Sequence, residues 1–167
     1  NIIRNNTAYN CGLSGLFLGS NTTSVVNDTK VYNNTFYKCG TGAFDNGQMA
    51  LLNNAGSDIR NNILYPANGN YAIIQFKGTS STNKTINYNL LRRDNGNANS
   101  FFYGITGSIQ NSIFLDPLFV NVSSYDFHLQ ASSPAINAGD SSYLPISDVF
   151  DIDGEARLIG ASVDLGV

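Results

Sequence analysis

One phrase returns along this chain at nearly constant spacing: Ile3-Arg4-Asn5-Asn6-Thr7, Val31-Tyr32-Asn33-Asn34-Thr35 and Ile59-Arg60-Asn61-Asn62-Ile63. Looser copies follow at Ile86-Asn87-Tyr88-Asn89-Leu90 and Ile109-Gln110-Asn111-Ser112-Ile113. Asn6, Asn34, Asn62, Asn89 and Ser112 are separated by 28, 28, 27 and 23 residues. A period in the twenties signals units that stack, each burying against its neighbours a face that it cannot bury alone.

The third repeat shows what one unit contains. Asp58 to Tyr65 alternates apolar and polar residues and pauses at the Asn pair. A turn follows at Pro66-Ala67-Asn68-Gly69-Asn70, then a strongly β run, Tyr71 to Phe76, then a polar loop from Lys77 to Lys84. Three short strands per coil with no helix between them predict an all-β fold, a single-stranded parallel β-helix. The equivalent third strands are Gly15–Leu18, Gln48–Leu52, Tyr71–Phe76 and Ser100–Tyr103. An Asn at each bend accepts a non-β backbone, and its amide offers a donor and an acceptor. Stacked identical amides are expected to bond from coil to coil as a ladder.

Composition agrees. The chain has 167 residues, 24 of them Asn and 16 Gly, with 42% apolar and 13% charged residues. That is enough chain for one domain with a core and too apolar for disorder. The net charge is −3 and the longest basic cluster is Arg92-Arg93, so a nucleic-acid footprint is missing. No run approaches the roughly 20 apolar residues of a membrane span. The chain opens inside a repeat phrase, from which we expect further coils upstream of residue 1.

Cys11 and Cys39 hold the same repeat position, 28 residues apart. In register they would lie about 4.8 Å apart, compatible with a disulfide and equally with a ladder of buried thiols. Two cysteines and one histidine give no metal-site spacing.

The period fails near residue 113. Residues 1–112 read as β-helix coils, and 113–167 as the last coil plus a C-terminal cap of the same structural domain. An open parallel edge invites pairing and needs cover. The strings Asp116-Pro117-Leu118-Phe119-Val120-Asn121, Asp126-Phe127-His128-Leu129, Ser133-Pro134-Ala135-Ile136-Asn137-Ala138-Gly139, Asp151-Ile152-Asp153-Gly154-Glu155-Ala156-Arg157 and Gly160-Ala161-Ser162-Val163-Asp164-Leu165-Gly166 carry a resemblance. Together they resemble the C-terminal end of secreted bacterial right-handed parallel β-helix proteins of the pectate-lyase-like superfamily. The resemblance implies a right-handed helix, an extracellular or cell-surface location and a polysaccharide ligand. It implies architecture more specifically than activity, because lyases, hydrolases and non-catalytic proteins share such an ending.

By the same resemblance, substrate would lie beside the sheet of third strands. Asp45, Gln48, Gln75 and Asp94 are the polar candidates there, and Tyr71 and Tyr103 offer sugar-stacking faces. A uronate lyase needs a base for the C5 proton and positive charge for the enolate-like carboxylate. Lys77, Arg92 and Arg93 are the local concentration of cations and the expected catalytic group. A hydrolase would need two facing carboxylic acids, and Asp45 and Asp94 sit two coils apart, roughly 10 Å by stacking distance.

His128 reads first as a hydrogen-bonded structural residue. Asp151, Asp153 and Glu155 resemble the start of a calcium loop, but Ser162 stands where its twelfth-position Glu belongs. A plain turn is the expected reading there, and no cofactor is implied. The alternative to a polysaccharide-active module is a non-catalytic structural or adhesin-type β-helix.

Overall fold

The computed structural model describes residues 1–20, 24–42, 47–67, 70–75, 84–92, 101–105, 107–144 and 150–166. Most of the described strands are stacked in parallel, an all-β arrangement consistent with a β-solenoid. A first sheet takes the strand before each bend: Ile2–Arg4, Lys30–Tyr32, Asp58–Arg60, Lys84–Asn87 and Gly107–Gln110, in that order. The second takes the strand after it: Thr7–Tyr9, Thr35–Tyr37, Ile63–Tyr65 and Leu90–Leu91. The third contains Leu16–Gly19, Gly47–Leu52, Tyr71–Gln75 and Phe102–Tyr103. A short fourth column, Val26–Asn27 on Asn54–Ala55, adds to the three strands expected per repeat.

Register follows the repeat phrase. Ile3 pairs with Val31, Val31 with Ile59, Ile59 with Ile86, and Ile86 with Ile109. Within one strand side chains alternate sides, so a slip of one residue would turn this apolar row outward. Val31, Ile59 and Ile86 are fully buried, in one core with Phe36, Leu64, Leu91, Met49 and Ile73.

The bend divides its work between two neighbouring residues. The first residue of each pair takes the left-handed conformation: Asn5, Asn33, Asn61, Tyr88 and Asn111 have φ of 55, 53, 54, 50 and 48°. Asn tolerates that region better than other side chains, and Tyr88 occupies it without that advantage. The second residue builds the ladder. Nδ2 of Asn6 donates to Oδ1 of Asn34, Asn34 to Asn62 and Asn62 to Asn89, each at 2.9 Å. Backbone amides of Asn6, Asn34 and Asn62 donate to the same oxygens at 3.0–3.1 Å. Ladder amides also reach main-chain carbonyls, as Asn62 does to Val31 and Arg60. The row ends on the hydroxyl of Ser112, which accepts from the Asn89 backbone at 3.4 Å.

The C-terminal segment contributes an antiparallel pair, Phe119–Asn121 with Asp126–Leu129, joined through a 3-10 turn at Val122–Ser124. Phe119, Phe127, Ala135 and Leu165 pack on Tyr37, Ile63, Tyr65 and Leu90 of the second sheet, making a second apolar cluster. Polar anchors continue along the flank of the stack. Asp140 exchanges two bonds with the Asn61 side chain, at 2.8 and 3.1 Å. The Asp164 carbonyl accepts from Asn33, while Arg157 donates to Asn5 at 2.6 Å. Gly166 closes this contact at φ 87°, and a Cβ there would meet Thr35 Oγ1 at 2.7 Å and Ile63 Cδ1 at 2.9 Å. These anchors run back along the side of the stack, from the third repeat to the first.

Candidate functional site

The residues singled out beside the third sheet divide into two groups. Asp45, Lys77, Arg93 and Asp94 lie outside the described residues, as does the side chain of Gln75. Among the rest, Tyr71 and Tyr103 come together: their rings, on adjacent third strands, are 5.4 Å apart at 43°. Tyr103 is 45% exposed, so the pair offers an aromatic surface at the sheet. Arg92 is half-buried and sits 3.7 Å from Asp116. Gln48 has a different place from the one sought for it. It is fully buried, accepts from the Cys39 amide at 3.1 Å and donates to the Cys39 carbonyl at 2.8 Å. Its amide serves as a backbone partner inside the turn, as buried amides must.

Lys84 is a further cation that sequence reasoning passed over. It is buried at the start of a first-sheet strand, donates to the Asn54 carbonyl at 3.0 Å, and burial lowers its pKa. It stands two residues before Ile86, so the alternation of the strand turns it to the core side, against its charge.

Cys11 and Cys39 are free thiols. Burial, followed by contact with Cys11, pushes the Cys39 thiol up to about 12, so it stays protonated and unreactive near neutral pH. The thiols point at carbonyls two residues earlier, Tyr9 and Tyr37, at 3.6 and 3.8 Å. Of the two arrangements open from spacing, this is the thiol pair.

A cleft of about 430 Å³ opens elsewhere, where the C-terminal segment meets the first repeat. Tyr9, Tyr125 and Phe127 form its apolar wall, and Asp126, His128 and Asp153 its polar one. Tyr9 and Tyr125 stack at 4.6 Å and 26°. His128 is held at both ring nitrogens: Nδ1 lies 2.5 Å from Asp126 Oδ1, and Nε2 2.8 Å from Asp153 Oδ2. Only the imidazolium donates from both nitrogens, so this clamp favours the charged form. The Asp126 hydrogen bond, then that of Asp153, raises the His128 pKa against the opposing effect of burial. Asp126 is lowered in turn, chiefly by its bond from His128. A histidine held protonated between two carboxylates is a poor general base.

The turn once compared with a calcium loop spends its first carboxylate on itself. Asp151 Oδ1 accepts from the amides of Asp153 and Glu155 at 3.0 and 2.9 Å, around Gly154 at φ 82°. Asp153 turns outward to His128. No group of three or more His, Cys, Asp or Glu side chains arranged to hold a metal occurs among the described residues. None of the described helices is long and apolar enough to cross a membrane.

The cleft residues were legible only in part. Tyr9 belongs to a visible column with Tyr37 and Tyr65, and His128 stood out as the sole histidine. Their convergence depends on a contact between segments more than a hundred residues apart, which no local pattern encodes.

No family model, curated protein or solved structure matches this chain. What is in hand is therefore a class: an all-β protein of stacked parallel strands with a buried asparagine ladder.

Proposed function

We infer that this chain is a polysaccharide-binding module of an extracellular, right-handed parallel β-helix protein with a C-terminal cap, of the pectate-lyase-like kind. The observation that supports it most is the Tyr71–Tyr103 pair, a stacking surface on adjacent strands of the third sheet. Aromatic faces take the C–H side of a sugar ring, and they order little side-chain entropy in doing so. Arg92, Lys77 and Arg93 supply cations in adjacent repeats of the sequence, which suits an acidic polysaccharide. If the module cleaves, the chemistry that fits is β-elimination. A base would take the C5 proton while Lys77, Arg92 and Arg93 neutralise the carboxylate as it gains enolate character; the C4–O glycosidic bond then breaks, its oxygen takes up a proton, and a C4=C5 double bond remains.

Incubation with polygalacturonate, alginate and glycosaminoglycans tests both parts. The lyase reading expects the ultraviolet absorbance of an unsaturated product. The binding reading expects retention of the protein on at least one of these polymers, lost in Tyr103→Ala. Absence of both product and retention on all of them rejects the proposal.

A second reading, a non-catalytic structural or adhesin-type β-helix, draws on two observations. Gln48, sought as a ligand residue, is committed to the Cys39 backbone, and Arg92 already faces Asp116. It expects Lys77→Ala and Arg93→Ala to change nothing measurable.

A further inference from the structure

We propose that the cleft lined by Tyr9, Tyr125, Asp126, His128 and Asp153 is a second ligand site, one that takes a neutral hexopyranose unit of a glycan. It is separate from the third-sheet surface and does not depend on the reading given for that surface. At about 430 Å³ it falls within the size range of small-ligand clefts, roughly 300–1,000 Å³.

The outer ring of its aromatic wall is Tyr125, carried by the C-terminal segment, 58% exposed and stacked on Tyr9 at 4.6 Å. Tyr125 is placed there by a costly backbone. It ends the 3-10 turn in the left-handed region, φ 61° and ψ 24°. A bulky residue in that region costs on the order of 1 kcal/mol that Gly or Asn would largely avoid. The strain projects a ring over an open cleft rather than into a core.

The polar wall selects the ligand. Asp126 Oδ1 and Asp153 Oδ2 grip His128, which fixes both carboxylates and leaves Asp126 Oδ2 and Asp153 Oδ1 as acceptors. Fixed acceptors beside aromatic rings fit a pyranose, whose hydroxyls donate and whose C–H face packs on a ring. With imidazolium between two carboxylates, the trio carries a net negative charge. An added carboxylate or sulfate would meet like charge, which disfavours uronic and sulfated sugars. Charge thus separates this cleft from the cation-rich stretch that holds Arg92 and Arg93.

The test is a titration of the whole chain followed by NMR of the tyrosine and histidine side chains. The ligands are hexasaccharides of α- and β-linked glucose, mannose and galactose, with hexagalacturonate as the charged control. The proposal expects at least one neutral hexasaccharide to shift Tyr125 and His128 signals. Tyr125→Ala and Asp153→Asn should each weaken that binding about tenfold or more, whereas Tyr103→Ala leaves it unchanged. Tyr125→Asn, which suits the left-handed backbone, separates loss of the ring from loss of the turn and should weaken binding as Tyr125→Ala does. The proposal is overturned if no neutral hexasaccharide shifts these signals up to about 10 mM. It is equally overturned if hexagalacturonate does so instead, or if binding survives Tyr125→Asn and disappears in Tyr103→Ala. That last pattern would assign glycan binding to the third sheet alone.

Discussion

Asn61 and Asn62 are neighbours, both fully buried, and they belong to different machines. Asn62 faces along the stack and ties the third repeat to the second and fourth through its amide. Asn61 bends the chain at φ 54° and faces sideways, where its amide pairs with Asp140 of the C-terminal segment. The same division repeats at Asn33-Asn34 and at Asn5-Asn6. One column joins repeat to repeat, and the other joins the stack to the segment along its flank. Two identical side chains thus acquire separate functions from a change of one residue in backbone direction.

The widest difference should appear on removing each amide. Asn62→Ala strips three acceptors of a donor and takes the acceptor from the buried Asn34 backbone amide. It should destabilise the protein by about 3 kcal/mol, read from the denaturant midpoint. Asn61→Ala should cost less, about 2 kcal/mol, combining backbone strain with loss of the Asp140 pair. Its distinguishing mark is faster proteolysis of residues 130–144 while the stack stays folded. Asn61→Gly keeps the bend and loses only the anchor, so it should fall near 1 kcal/mol. Equal losses for Asn61→Ala and Asn62→Ala, with no change in proteolysis, would erase the distinction between the columns.

Tyr88 offers a smaller test with the opposite sign. It holds φ 50° where the four other repeats place Asn. Tyr88→Asn should stabilise by about 0.5–1 kcal/mol, measured in the same denaturant series.

The smallest effect concerns the flank segment alone. Because His128 has a raised pKa, its contribution to stability is fully present below the unfolded value near 6.5 and disappears as pH rises through the folded pKa. Histidine NMR should show the raised midpoint, and Asp126→Asn should lower it more than Asp153→Asn does. A midpoint at or below the unperturbed value would remove the clamp from the account.

The stacked strands could be read from the sequence because the repeat phrase sets both the register and the apolar row Val31, Ile59, Ile86. The ladder was readable for the same reason. What escaped was the split within each Asn pair, since both members share one chemistry and only backbone direction tells them apart. The course of the C-terminal segment also escaped, because its anchors on Asn5, Asn33 and Asn61 carry no sequence signal beyond more asparagine. Gln48 misled, as a glutamine in a strand gives no sign that its partner is the Cys39 backbone. The cleft was hidden because Tyr9 and Tyr125 meet only once that segment has folded back to the first repeat.

Side-chain amide hydrogen exchange tests the division of the two columns most directly. The Nδ2 protons of Asn34, Asn62 and Asn89 should exchange only through global unfolding, with one shared free energy. Those of Asn33 and Asn61 should exchange through a smaller, shared opening that frees the C-terminal segment. If both columns exchange with the same free energy, the stack and its flank are a single unit and the distinction drawn between them is wrong.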